Sequence, residues 1–587
     1  MKDIRHKNEN GTLTLALWAA VYILMMWFAL IVANLWNSGD NILDLVENLT
    51  SNFDPIYIQF SEYSMLSVVI FSIIFGMTVS SYYASVKNVR ADEEHGSASW
   101  GIAKQVNRLF SQDKKKDILL TQNVSIGLDT HKHKRNLNVL VVGGSGSGKS
   151  RFYVRPNIMQ INTSFVVTDP KKELLRETGQ MLKDNGYEVK VLNLINFEDS
   201  DSYNPFRYIR ADIDVIKLIN NLIANTTPKG SHSSDPFWLK SETALLQALM
   251  FYLVYEAPEN EQNFSMIMTM LEYAGASEED ENMITALDVL FQQLEKEIPN
   301  HIAVKQYKVY KQASGKTAKS ILVSCAVRLA AFNLKQVKDM TSYDDMDIEK
   351  LANRKTAIFA VTPDNDSSFN FLVGLLYTQV FQEMYYMADH VYGGQLPIPL
   401  HVCMDEFANI ALPDEFDKIL STMRSRNISA SVILQNLAQL KGLFKQSPHA
   451  WETIVGNCDS FVYLGGNERS SHEYVSKLLG KSTIHLKTHN RTRGRNGSFT
   501  VNNQITGREL LTPDEVRLLD NEYAIVFIRG AYPVIDKKYN LLKHPCFKQT
   551  SEGGNAPYNY KKKIRTQRLV DSIDLDRAED YEILYDE

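Results

Sequence analysis

Cysteine is scarce: Cys325, Cys403, Cys458 and Cys546 are the only four in 587 residues, far apart and without a CxxC pair. That spacing excludes a disulfide framework, argues against cysteine zinc sites, and suits a reducing compartment. An excess of positive charge is also missing. Lys+Arg 63 against Asp+Glu 69 leave a net charge of −6, so any nucleic-acid partner must be met by a local basic surface. There is no internal repeat and no long heptad array. Hydrophobic residues at 44% and charged residues at 22% exclude wholesale disorder. The length suggests about three or four structural units and can bury a large core without staples.

What is present begins with two uncharged runs. Residues 13–36 (LTLALWAAVYILMMWFALIVANLW) and 65–84 (MLSVVIFSIIFGMTVSSYYA) carry no charged side chain. At about 1.5 Å per residue each is long enough to cross a hydrocarbon core of about 30 Å. The first run exceeds a signal-peptide core, and no small-residue cleavage site follows Trp36. Lys2, Arg5 and Lys7 precede the first span and Lys87 and Arg90 follow the second. The intervening residues 37–64 hold Asp40, Asp44, Glu47, Asp54 and Glu62 but no Lys or Arg. The positive-inside bias then predicts a two-helix transmembrane hairpin over residues 1–90, in the cell membrane, with both termini and the body cytoplasmic.

The body opens on a phosphate loop. Residues 137–142 (LNVLVV) read as a buried parallel strand. They run into Gly143, Gly144, Ser145, Gly146, Ser147, Gly148, Lys149 and Ser150, a complete GxxxxGK[ST]. Glycines are needed because the backbone must wrap a polyphosphate with its N–H groups inward. Lys149 is expected to neutralise the β- and γ-phosphates of ATP and Ser150 to ligate Mg²⁺. Pro156, a few residues on, predicts a short or kinked helix. A second GKT at Gly315–Thr317 lacks the upstream glycine, Tyr310 standing there, and is read as helical.

A carboxylate pair completes the pattern. Residues 397–404 form an apolar strand ending in Asp405 and Glu406. Asp405 is assigned to the metal through its waters and Glu406 to polarising the attacking water, as a hydrolytic P-loop enzyme requires. After the run 430–434 comes Gln435, where RecA-type ATPases carry a sensor of the γ-phosphate. Arg424 and Arg426 supply guanidinium groups of the kind that cross a subunit boundary to stabilise transition-state charge.

Further strands are expected at 165–168, 189–192, 357–361, 461–464 and 524–528, alternating with helical patterns as in a mainly parallel α/β sheet. The stretch between Lys149 and Asp405 far exceeds what a bare P-loop core needs. Residues 212–347 lack strong strand signals and read as an inserted all-α domain, with helices over Trp238–Tyr255 and Lys319–Phe332. The expected layout is a RecA-like ATPase domain in two parts, 91–211 and 348–545, around that insertion. A basic, then acidic, tail over 546–587 completes it. The basic stretch His485–Gly497 reads as a loop, with phosphate-backbone contact as its functional reading.

The order of these features resembles the type IV secretion coupling proteins, the TraG/TraD-like family of conjugation ATPases. The carrying residues are the paired spans, the GGSGSGKS loop, Asp169-Pro170-Lys171-Lys172-Glu173-Leu174, Tyr203-Asn204-Pro205-Phe206, Met404-Asp405-Glu406-Phe407 and Leu434-Gln435. The resemblance covers roughly residues 13 to 540, and the motif variants suggest a Gram-positive conjugative element. The family often has glycine after the DPK triplet; Lys172 stands here, which leaves a tight turn at that point open. The resemblance implies a homo-hexamer facing the cytoplasm. It also implies single-stranded DNA with a relaxase or accessory protein as cargo, and a type IV secretion channel as recipient. Two other readings share the core: an FtsK-like duplex DNA pump, which usually has more spans and a winged-helix module, and a nucleotide-gated receptor that does not translocate DNA. An ABC transporter is disfavoured because no LSGGQ-like segment occurs.

Overall fold

In the computed structural model, residues 3–560 are described apart from 57, 86–92, 228–235, 276–282, 314, 365, 414, 445–448 and 492–498. The chain divides into two compact units, Met1–Glu94 and His95–Glu587. In the first, α1 (Asp3–Leu35) and α2 (Ser64–Ser85) contain uncharged spans Thr14–Leu35 and Ser64–Ala84, with mean hydropathy 2.4 and 1.9. The helices run antiparallel. Ser67 Oγ donates to Ala29 O at 2.7 Å, Tyr22 and Ser72 share a hydroxyl bond of 3.1 Å, and Trp18 packs edge-on against Phe75 and Tyr82. Aromatic edges and serine hydroxyls, not charge, join the pair, as expected of helices packed in lipid.

The second unit is built on a nine-stranded sheet. Its strands are β1 (Val139–Val142), β2 (Ser164–Asp169), β3 (Glu188–Asn193), β4 (Thr356–Val361), β5 (Leu400–Met404), β6 (Ile428–Leu434), β7 (Ser460–Tyr463), β8 (Tyr523–Ile528) and β9 (Val534–Lys537). The order is β9-β8-β7-β1-β6-β5-β2-β4-β3. Neighbours from β7 to β3 pair in parallel; β8 and β9 are antiparallel additions at one edge. Branched apolar runs form these strands because both faces are covered. In β1, Leu140 and Val142 enter one hydrophobic cluster while Val139 and Val141 enter the other, each at most 1% exposed.

Every expected strand is present within a few residues, and the elements between β3 and β4 are helical among the described residues. The expected helices at 238–255 and 319–332 appear as Pro236–Glu256 and Gly315–Leu329, and the second GKT lies inside the latter. A buried ion pair ties three of these helices together. Arg328 donates to Glu242 Oε2 at 2.7 and 3.0 Å and to Thr226 Oγ1 at 2.8 Å.

Two expectations are corrected. The basic stretch from His485 is not a loop as far as Arg491: Lys481–Arg491 pairs antiparallel with Phe499–Glu509 in a long two-stranded ribbon. Its base is pinned by Ala98 N donating to Lys481 O at 3.0 Å and Thr483 N to Gly96 O at 3.1 Å. The rest of that basic stretch, the basic run at 561–568 and the acidic tail lie outside the described residues. Nor does a free tail begin at 546. Residues 546–560 lie across the helix α3 (Glu173–Asp184): Tyr558 N donates to Arg176 O at 3.1 Å, and its ring sits where a Cβ on Gly179 would come within 2.7 Å.

Candidate nucleotide site

The C-terminal ends of parallel strands open onto one cleft of about 560 Å³, the position where open α/β sheets bind ligands. From the end of β1 the chain passes between its two neighbours. Gly143 N donates to Leu434 O of β6 at 3.0 Å, and Gly144 N to Gly465 O beyond β7 at 2.8 Å. Gly146 and Gly148 take φ of +77° and +81°, a region closed to most side chains. The buried Lys149 folds back, Nζ donating to Gly143 O at 3.0 Å. The segment that follows begins as a π-turn over Ser150–Val154 and continues as a short helix Arg155–Met159, with Pro156 in its first turn. The helix at Pro156 is thus short, as expected, and follows a π-turn.

The carboxylate pair meets this loop. Ser150 Oγ donates to Asp405 Oδ2 at 2.8 Å across 255 residues of chain. Asp405 follows β5, which is separated from β1 by β6 alone. Burial pushes its carboxyl above the usual aspartate range, while the Ser150 bond and Lys149 pull the other way. Glu406 stands in the left-handed region, φ 53°, uncommon for a non-glycine residue and concentrated at functional sites. Gln435 Nε2 donates to both Glu406 oxygens at 3.0 Å, and Asn409 Nδ2 to Oε2 at 3.3 Å. Residues predicted from three distant stretches therefore converge: Gly143–Ser150, Asp405–Glu406 and Gln435.

Arg424 and Arg426 do not join them. They stand in the turn Met423–Arg426 before β6, whereas Gln435 follows it. A seven-residue strand at roughly 3.3 Å per residue separates the two ends. Arg424 Nη2 donates to Thr130 O at 3.2 Å. Arg426 grips Asp389 through bonds of 2.8 and 2.7 Å and lies over the Tyr385 ring at 4.4 Å. Expected to act across a subunit boundary, Arg424 and Arg426 lie at the opposite edge of the sheet from the chain's own cleft.

Other lining residues were not singled out as site residues. Asp169 ends β2 within the cleft; it is buried, accepts from Leu175 N at 2.8 Å, and is pushed up to about 6, chiefly by burial. Lys171, Thr362, Asp364 and Asn370 line the same wall, as do Arg151 and Arg155 beside the P-loop. Strand ends were the available signal, since β2 and β4 finish at this edge. Lys172 does make the tight turn left open above, adopting φ 59° itself. Behind the loop Lys538 Nζ donates to Ser147 O at 2.9 Å and to Asn521 Oδ1 at 2.8 Å; burial lowers its ammonium to about 8.

The donors fit a magnesium–nucleotide complex. Mg²⁺ is held through one or two carboxylates together with phosphates and waters rather than by a protein cage. Here one serine hydroxyl and one carboxylate meet at the mouth of the glycine loop, and no cluster of three or more His, Cys, Asp or Glu suited to a metal occurs among the described residues.

Residues 93–563 match the family described as type IV secretory system conjugative DNA transfer. The chain is 22% identical over 529 residues to protein VirD4 of Rhizobium radiobacter, covering 85% of this chain and 71% of that protein. It is 21% identical over 454 residues to the conjugal transfer protein TraG of the same organism, covering 76% and 65%. Among solved structures, the plasmid coupling protein TrwB in complex with ADP and Mg²⁺ superimposes with a TM-score of 0.55 at 16% identity, over 75% of this chain and 93% of that one. TrwB with the non-hydrolysable ATP analogue ADPNP does so with the same score and coverage.

Proposed function

The chain belongs to the type IV secretory system conjugative DNA transfer family, and from that premise we propose that it is a membrane-anchored, Mg²⁺-dependent ATPase that couples a relaxase–DNA substrate to a type IV secretion channel. The observation that carries the reading is the bond between Ser150 and Asp405, which unites the glycine loop with the carboxylate pair. The two apolar helices supply the anchor, and the Lys and Arg flanks favour a cytoplasmic body. The division into an anchor, a two-part ATPase and a helical insertion over about residues 212–347 follows the same proposal.

Each site residue then has a task. Lys149 leaves the Gly143 carbonyl for the phosphates, and the backbone N–H groups of the loop surround them. Ser150 and Asp405 would hold magnesium, which supplies charge neutralisation on the transferring phosphoryl group. Glu406 orients the attacking water and accepts its proton, held in place by Gln435 and Asn409. Gln435, joined to Glu406, reports the γ-phosphate to the water-activating carboxylate. Arg424 serves the nucleotide of a neighbouring protomer in a homo-hexamer.

The test is ATP hydrolysis by residues 95–587, with and without single-stranded DNA, as an assembled oligomer. Turnover that depends on Mg²⁺ and rises with DNA is expected. A body that binds ATP and never hydrolyses it would instead make the protein a nucleotide-gated receptor.

A further inference from the structure

The cleft has a charged wall that phosphate-loop chemistry leaves unused. Arg151 and Arg155 stand four residues apart immediately after Ser150, and both line the cleft. One carboxylate holds both. Glu552 accepts from Arg151 Nη1 at 3.1 Å and Nη2 at 2.7 Å, and from Arg155 Nη1 at 2.8 Å. The Arg151 bonds also hold its carboxyl below the usual glutamate range. Arg155 Nε is buried without a partner among the described residues.

Glu552 arrives from the far end of the chain, 401 residues beyond Arg151. Its own N–H donates to Glu177 Oε2 at 3.0 Å, and Ser551 N donates to Glu177 O at 3.1 Å. Asn555 Nδ2 reaches Asp184 at 3.1 Å. The segment is thus fastened to α3, whose Glu173 and Leu174 also face the cleft. Two guanidinium groups therefore share one carboxylate beside the phosphate cradle. Guanidinium binds phosphate oxygens in the bidentate geometry it uses for carboxylates. Arg151 remains 45% exposed and Glu552 30%, so solvent screens their pairing and a polyphosphate can compete for it.

We propose that Arg151 and Arg155 are anion-binding residues of the nucleotide site, that Glu552 is the internal ligand they hold until a nucleoside triphosphate enters, and that the exchange loosens residues 546–560 from the core. This rests on the cleft being the ATP site. The C-terminal segment thereby carries nucleotide occupancy to the residues beyond it.

The experiment uses the full-length chain in lipid nanodiscs. MgATP affinity is measured for wild type, Glu552→Gln, Arg151→Ala, the double variant and Lys149→Ala. Hydrogen exchange over 546–560 is followed in the wild type with and without the Mg²⁺ complex of a non-hydrolysable ATP analogue. Removing the competing charge in Glu552→Gln is expected to tighten binding about three- to five-fold. Arg151→Ala weakens it, the double variant binds more tightly than Arg151→Ala because Arg155 is freed, and exchange over 546–560 rises with the analogue. Unchanged or weaker binding by Glu552→Gln overturns the inference, as does exchange that stays level or falls. If Lys149→Ala binds as well as wild type, or wild type does not bind, the ATP reading of the cleft itself falls. If Lys149→Ala alone loses binding, only the Glu552 inference does.

Discussion

Glu406 shows how the site stores its geometry. A glutamate at φ 53° costs of order 1–2 kcal/mol, and it is retained here by Gln435 and Asn409 on its carboxylate. Glu406→Gln keeps the side chain's size and one acceptor oxygen, and on the proposed role removes the base. Turnover should fall about 10²–10⁴-fold while MgATP affinity changes little, read by steady-state hydrolysis beside equilibrium binding. Asp169 yields a pH prediction for the nucleotide-free protein. Burial raises its folded-state carboxyl to about 6, above the unfolded value, so between about pH 4 and 6 the folded state binds more protons. Stability should fall as pH rises through that window, by roughly 2–3 kcal/mol, and then level off. In Asp169→Asn, which keeps an acceptor for Leu175 N, that slope should become shallower in denaturation midpoints measured across the window, leaving the share of Asp344, which burial also raises to about 6. Lys172 marks a limit of legibility. A lysine can enter the left-handed region when its neighbours require it, and nothing in its side chain announces this. A β-branched residue there is far less tolerated: Lys172→Val should cost about 1–2 kcal/mol in thermal unfolding, and Lys172→Gly close to nothing.

At the scale of elements, what could be read in advance was what has a period or a fixed spacing. The uncharged spans, the branched strands and the glycine loop each carry a local signal, and β1, β5 and β6 appear where their apolar runs stand. The ribbon was missed because none of its described side chains is buried, which leaves no buried face to impose alternation, and its sequence is rich in Thr and Asn. The Cys546–Tyr560 segment was missed for a different reason. It has little regular structure, and its attachment depends on partners about 375 residues away, as between Glu552 and Glu177. The helical insertion was visible as helix, but not the ion pair inside it. Arg328 and Glu242 are 11% and 7% exposed at their side chains, so removing one partner strands the other in a poorly solvated place. Glu242→Ala should destabilise the body by about 3–5 kcal/mol, seen as a lowered melting temperature. Replacing both partners with apolar residues should recover much of the loss.

At the scale of the whole molecule, the arginines decide whether one chain contains a complete site. Lys149, Ser150, Asp405, Glu406 and Gln435 gather at one edge of the sheet, while Arg424 stands before β6 at the other. No rotamer of Arg424 spans a seven-residue strand, so an arginine contribution from this position requires a second protomer whose opposite edge faces the cleft. Homo-oligomers closed by head-to-tail contacts place unlike edges together in this way. Lys149→Ala and Arg424→Ala should each abolish turnover alone, the first by losing the phosphate cradle and the second by losing transition-state charge in the neighbour. Mixed in equal amounts and reassembled, they should recover activity. An Arg424→Ala protomer keeps an intact Lys149, and an adjoining Lys149→Ala protomer still offers it Arg424. With random assembly and independent sites, about a quarter of all clefts are then complete, and turnover should return to about that fraction of wild type. Mixtures that stay as inactive as their components, although shown by crosslinking to co-assemble, would leave Arg424 a structural residue tied to Thr130 and the cleft without an arginine from this turn.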